Sequence, residues 1–287
     1  MNNMKTRKNR ELHKLKAVKR GGMAVQGEQG CVTIPSLVID AKKTRNVNYV
    51  TKLFFEEKYF NEEKANDDFI LSEIDPRQTF TVVAYDTNPI NIKAISAAEL
   101  ANCPSLKGLD LTSLKFLNYK YAGTSISSIV ENNMEFDKNN SKDLISALAN
   151  LTVKVYAMNS AGFFHNDAHQ GNIMYNPKQH YAYLIDFGHA SKGSPKPLLD
   201  MQAMLTCIRL VISNIIAFSK LPPEYMELLT SYKDDITKVV TKLNTDMTLE
   251  EGYSLAMKTA TDISLGYSKL AGGRKRTLRR KVNRNVH

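Results

Sequence analysis

Phe164-His165-Asn166-Asp167-Ala168-His169-Gln170-Gly171-Asn172, followed after a short hairpin by Tyr183-Leu184-Ile185-Asp186-Phe187-Gly188, is the stretch that decides how this chain is read. Asp167 can take a proton from an attacking hydroxyl. Asn172, five residues on, and Asp186, fourteen further, offer oxygen ligands to a magnesium ion. Mg²⁺ prefers hard oxygens and takes only one or two from protein, leaving the rest to phosphate and water. Phosphoryl transfer needs those parts: a carboxylate that orients the nucleophile and ligands for the metal that neutralises phosphate charge. Each half of the motif adjoins an apolar, strand-like run, Asn172-Ile173-Met174-Tyr175 and Tyr183-Leu184-Ile185.

The order H-x-D-x-x-x-x-N followed by D-F-G resembles the protein kinase-like superfamily. The resemblance implies an α+β, two-lobed fold, with a small β-rich N-lobe and a larger α-helical C-lobe. It also implies ATP and Mg²⁺ as cofactors. The expected boundaries are a basic arm at 1–20, an N-lobe at 21–121, a C-lobe at 122–270 and a basic tail at 271–287.

The remaining positions follow in order. Gly27-Glu28-Gln29-Gly30-Cys31-Val32 reads as a hairpin with a glycine tip, whose backbone amides can approach phosphate closely. It is similar to the last part of the kinase glycine loop, with Val25 in place of the first glycine, so Gly27, Gly30 and Val32 are nucleotide-binding candidates. The strand pattern Asn48–Phe55 carries Lys52, which resembles the third-strand lysine that contacts the α- and β-phosphates. Lys42 and Lys43 are alternatives in a polar segment. A helix is expected from Asn61 to Ile74, with Asn61 as N-cap and Glu62 and Glu63 in the first turn. The family pairs a carboxylate of this helix with the lysine. Asp67, followed by Ile70 and Leu71, is favoured, and Glu63 lies one turn earlier on the same face. The hairpin, the V-x-K-L-F strand and Ile74-Asp75-Pro76 together resemble serine/threonine kinase-like proteins of large DNA viruses.

Thr79–Tyr85 and Leu114–Tyr121 read as strands separated by an insert. Tyr121-Ala122-Gly123-Thr124-Ser125 is placed by order as the linker that supplies groups to the adenine, with Tyr121 as its site candidate. Ser141–Met158 is an amphipathic helix, with Leu144, Leu148, Leu151 and Val155 at helical spacing and Gly162 beyond its end. After Gly188 only nine residues, His189–Pro197, precede a helix near Leu198, and there is no A-P-E. Asp200 opens that helix. It is either the buried aspartate that anchors the catalytic loop or an ordinary N-terminal acid favoured by the helix dipole.

Composition bounds the rest. The 287 residues suffice for a real core, and 43% are hydrophobic. The net charge of +10 is concentrated at the ends, since residues 1–20 carry eight Lys/Arg and one acid and residues 269–287 carry eight and none. Such arms are expected either to contact nucleic acid or other polyanions or to be solvated ends without a dedicated partner. Cys31, Cys103 and Cys207 share no metal-like spacing and read as reduced thiols. No signal peptide or transmembrane segment is expected. Met204–Phe218 is interrupted by Arg209, Ser213 and Asn214 and reads as a buried helix. The expected location is cytoplasmic, or the host cytoplasm or virion if the protein is viral.

The loop departs from typical protein kinases at Asn166, where arginine usually precedes the aspartate, and at His169, where lysine is usual. His169 could hydrogen-bond the transferred phosphoryl group or pack within the loop. H-x-D-x-H-x-x-N is also similar to aminoglycoside and choline phosphotransferases. The expected function is ATP- and Mg²⁺-dependent transfer to a serine or threonine of a protein acceptor. A small-molecule acceptor and a non-catalytic kinase-like binding module are the alternatives.

Overall fold

The computed structural model describes residues 23–37, 46–84, 95–243 and 247–282, with side chains only to residue 266. The basic arm at 1–20, Lys42, Lys43 and the basic side chains of the C-terminal stretch lie outside the described residues. Two compact units emerge, one of residues 1–76 and 82–121, the other of residues 77–81 and 122–287.

The first unit is built on a four-stranded antiparallel sheet, β1 (Met23–Gln26), β2 (Gly30–Ile34), β3 (Tyr49–Phe54) and β4 (Lys115–Lys120), in that spatial order. In β3 the residues from Thr51 to Phe54 are all buried, because one face meets helix α1 (Glu57–Phe69) and the other a small apolar core under the sheet. Helix α1 begins four residues before the expected Asn61. Its N-cap is Glu56, which makes no side-chain cap bond, and its last turns widen into a π-helical stretch at Ile70–Ile74. Helix α2 (Ala97–Ala101) in the insert opens with a capping box between Ser96 and Glu99.

Over its described residues the expected strand at Thr79–Tyr85 makes one isolated parallel bridge, Thr81 to Leu184, instead of a ladder. Its hydrogen-bonding groups are spent singly: Phe80 O accepts from Leu184 N at 2.8 Å and Ala84 N donates to the Asp67 carboxylate at 3.0 Å. The reading of three reduced thiols is also corrected. Cys31 on β2 and Cys103 beside the insert form a disulfide, 72 residues apart in sequence with Cα atoms 6.2 Å apart. Both are buried in the small core with Leu37, Leu53 and Leu106, a convergence that residue spacing does not encode. Cys207 remains a thiol, and burial pushes it up to about 12, which leaves it chemically inert.

The second unit is mostly helical. Helix α3 (Ile126–Glu131) follows the short strand β5 (Thr124–Ser125). Helix α4 (Lys138–Ser160) is capped by Asp137, whose carboxylate accepts the amides of Asn139 and Asn140. Its buried stripe includes the expected Leu144, Leu148, Leu151 and Val155. Next come β6 (Phe163–Phe164), β7 (Ile173–Asn176), β8 (Tyr181–Leu184) and β9 (Ser191–Lys192). They form two small sheets, β5-β7-β8 and β6-β9. Helices α5 (Leu199–Phe218), α6 (Pro223–Leu243) and α7 (Leu249–Val282) complete the unit. By length and composition α5 could cross a membrane. Here it is a core helix: Met201, Met204, Leu205, Ile208, Val211, Ile212 and Ile215 are buried, packed against α4 and α6.

Candidate functional site

In the first unit, the tip of the β1–β2 hairpin closes on itself, with Gly27 N donating to Gly30 O at 2.8 Å. Gly30 packs so tightly on β3 that a Cβ there would overlap the Leu53 carbonyl. The register then places Val32 opposite Lys52. Lys52 is nearly buried, and its ammonium lies 2.6 Å from Glu63 Oε2 and 5.2 Å from the centroid of the Phe54 ring. Tyr121, 43% exposed, continues from β4 and donates its amide to Asn48 O at 2.8 Å.

The lysine's carboxylate partner is therefore Glu63 and not the favoured Asp67. The reason is geometric. Glu63 lies one turn nearer the start of α1 and has the extra methylene needed to reach β3. Its other oxygen accepts the Tyr119 hydroxyl at 2.6 Å. Asp67 turns instead to the Ala84 amide. Burial, and then the neighbouring Glu63, push its carboxyl well above the usual range. Tyr119 escaped the sequence reading because nothing in the β4 pattern says which face of the sheet the phenol joins.

In the second unit the catalytic-loop candidates sit in one hydrogen-bonded frame. Asp200 at the start of α5, 1% exposed, spans two consecutive amides: His165 N at 2.8 Å and Asn166 N at 3.0 Å. Burial raises its pKa, and these bonds partly oppose that shift. Asp200 is thus the loop anchor rather than a solvated helix acid. The amide of Asn159, at the end of α4, donates to Asp200 Oδ2 at 3.1 Å and to Phe163 O at 3.2 Å. No sequence signal pointed to Asn159.

His165 is fully buried, with its ring against Phe187 at 4.8 Å between centroids. One ring nitrogen meets Ile185 O at 2.9 Å and the other accepts the Asp167 amide at 3.3 Å. Burial depresses its pKa, outweighing the opposing pull of Asp200, Asp186 and Asp167. The neutral imidazole therefore works as a structural bridge between the Asp167 loop and the Asp186 segment.

Asn172 Nδ2 donates to both Asp167 O (3.0 Å) and Asp167 Oδ2 (3.1 Å), while the Asn172 backbone carbonyl accepts Ile185 N at 3.0 Å. Asp167, Asn172 and the residue before Asp186 are thus tied by direct bonds. Asp186 itself adopts φ +63°. His169 stands beside Asp167, with Nε2 3.6 Å from Oδ2 and Nδ1 accepting the Gly171 amide at 2.9 Å. Gly171 makes room for this ring, since a Cβ there would come 2.6 Å from His169 Cε1.

Among the described residues no cluster of three or more His, Cys, Asp or Glu could hold a metal. The pair Asn172 and Asp186 nevertheless fits magnesium, which needs few protein ligands and only hard oxygens. The Asn172 amide nitrogen is spent on Asp167, so its oxygen is the atom offered to a cation.

Residues 109–215 match the ABC1 atypical kinase-like domain. That span runs from the end of the insert through β4, the catalytic loop and most of α5. Among solved structures, the autoinhibited serine kinase domain of the giant muscle protein titin is similar, with a TM-score of 0.48 and 12% sequence identity over 86% of this chain and 80% of that one. No curated protein sequence matches. The fold is kinase-like, with a β-sheet N-terminal region and a helical C-terminal region.

Proposed function

We propose that the chain is an ATP- and Mg²⁺-dependent phosphotransferase that moves the γ-phosphate of ATP to a hydroxyl, with a serine or threonine of a protein as the acceptor. The observation that carries this reading is the pair of hydrogen bonds that the Asn172 side-chain amide donates to Asp167 O and Oδ2. It fixes a carboxylate where it can orient and deprotonate a nucleophile. The same residue offers an oxygen for metal.

Asp167 accepts the hydroxyl proton as the phosphorus–oxygen bond forms, and the ADP oxygen leaves. Lys52, held by Glu63, contacts the α- and β-phosphates, and the Gly27–Gly30 turn covers them. Magnesium held by Asn172 and Asp186 would neutralise charge on the phosphate groups. Tyr121 borders the adenine. His169, its Nδ1 committed to the Gly171 amide, carries its proton on Nε2 and presents that donor beside Asp167.

A small-molecule acceptor is the second reading. It is favoured by His169 at Asp167 and by the ten-residue segment between Gly188 and α5, too short to carry the usual protein-docking element. Transfer from labelled ATP to generic protein acceptors and to small hydroxyl compounds, beside Asp167→Asn, tests both. Label in protein that vanishes in the mutant supports the proposal. Mutant-sensitive ATP consumption only with small hydroxyl compounds moves the acceptor to the second reading. Nucleotide binding without turnover under either condition overturns both.

A further inference from the structure

Glu63 is 1% exposed, and its two carboxylate oxygens meet side chains from two different strands. Oε2 accepts from the Lys52 ammonium of β3 at 2.6 Å, and Oε1 accepts from the Tyr119 hydroxyl of β4 at 2.6 Å. The register sets Lys52 opposite Leu117 and Val50 opposite Tyr119. Lysine and phenol therefore leave the sheet on one face, two positions apart along neighbouring strands. Helix α1 packs on both strands and brings Glu63 between them. All three residues are buried, so a lost donor is not simply replaced by bulk water.

We infer that Tyr119 is a positioning residue for the nucleotide phosphates: its hydroxyl holds the Glu63 carboxylate and, through it, the Lys52 ammonium. A glutamate carboxylate held at one oxygen can still swing, because its terminal torsion is broad. A second donor from another strand fixes both its plane and its place. Tyrosine suits that task, since its rigid ring has only two side-chain torsions to lose. Its bond to a carboxylate is charge-assisted and belongs to the stronger class of hydrogen bonds. Lys52 gains most from such a brace, because its four-carbon stem is flexible and its charge is a point without a preferred plane. Tyr121, the candidate for the adenine border, follows two residues after Tyr119. The chain of β4 thus carries the base-side candidate and the brace for the phosphate-side lysine.

This inference rests on the reading that Lys52 holds ATP phosphates, and a comparison of ATP with adenosine keeps the two separable. A brace that acts through Lys52 serves the phosphates alone, whereas a residue that merely shapes the pocket serves the nucleoside as well. Displacement of a fluorescent ATP analogue by ATP and by adenosine is measured for wild type, Tyr119→Phe, Glu63→Gln and the double variant. Tyr119→Phe keeps the ring and removes the hydroxyl. It is expected to weaken ATP about tenfold, the scale of a lost hydrogen bond to a charged group, and to leave adenosine within about twofold. Its KM for ATP should rise with kcat little changed. In the Glu63→Gln background the same substitution should add less than about twofold, because the phenol acts through that carboxylate.

Equal losses for ATP and adenosine overturn the inference, as do losses that multiply in the double variant. Tyr119→Phe at wild-type ATP affinity beside an impaired Glu63→Gln overturns it and leaves the role of Lys52 standing. Glu63→Gln at wild-type ATP affinity overturns the role of Lys52 and the inference together. A thermal melt checks that each variant folds. Tyr119→Met, apolar and adaptable in a core, replaces Tyr119→Phe if that variant does not fold, with the same outcomes.

Discussion

The side-chain amide of Asn166 lies 2.9 Å from the Ser191 hydroxyl and 3.2 Å from the His189 carbonyl. It ties down the short segment after Gly188 directly. β6 and β9 pair beside it, and Gly193 N donates to Gly162 O at 2.8 Å. Phosphatase-treated protein is therefore expected to keep full activity. Asn166→Gly, which keeps the left-handed backbone at φ +62° without strain, should lose about 1 kcal/mol per broken bond, roughly fivefold in kcat each. Activity that requires prior phosphorylation would refute this ordering.

Asp200→Ala strips one buried and one part-buried amide of their acceptor. Each orphaned amide costs about 1–3 kcal/mol, so the unfolding free energy should fall by a total of about 2–6 kcal/mol, read as a lower denaturant midpoint at unchanged m-value. Asp200→Asn, which keeps one acceptor oxygen, should fall in between.

The buried His165 sets an acid limit. Its pKa is depressed in the folded protein, so the unfolded chain takes up a proton first as pH drops below about 6.5. Stability is fully present above that value and is lost progressively toward the lower folded pKa. His165→Asn should show a flatter stability profile between about pH 7.5 and pH 5, read by urea titration at each pH.

Opening the Cys31–Cys103 disulfide frees a loop of 72 residues in the unfolded chain, worth roughly 4 kcal/mol on chain-entropy grounds. The Cys31→Ser/Cys103→Ser double variant should lose stability of that order. Reduced wild type should match it in thermal melts.

Gly171→Ala is expected to push the His169 ring off its place beside Asp167. If His169 donates to the phosphoryl group, kcat should fall about tenfold or more, and His169→Ala should add little to that loss. Additive losses in the double variant would show that the two residues act separately.

The clustering of the Asp167 loop was legible from sequence because its residues are local. Asp167, Asn172 and Asp186 lie within twenty residues, and the structure joins them through neighbouring backbone bonds. Asp200 was legible as one of two alternatives, since helix order brought it near but burial had to decide. Residues whose role depends on which sheet face meets which helix were not legible. Spacing on α1 offered Glu63 and Asp67 as near equals, and side-chain reach together with the Tyr119 phenol selects Glu63. The Cys31–Cys103 pair and Asn159 belong to the same class, because tertiary convergence leaves no periodic trace.

The left-handed backbone of Asp186, at φ +63°, bears on how an inactive control should be built. Asparagine visits that region more easily than most side chains, whereas alanine pays about 1–2 kcal/mol to stay there. Asp186→Ala would mix a refolded turn with a missing charge, and its silence would be ambiguous. Asp186→Asn removes the charge alone, so it is the variant whose loss of turnover would report on the carboxylate and not on the turn.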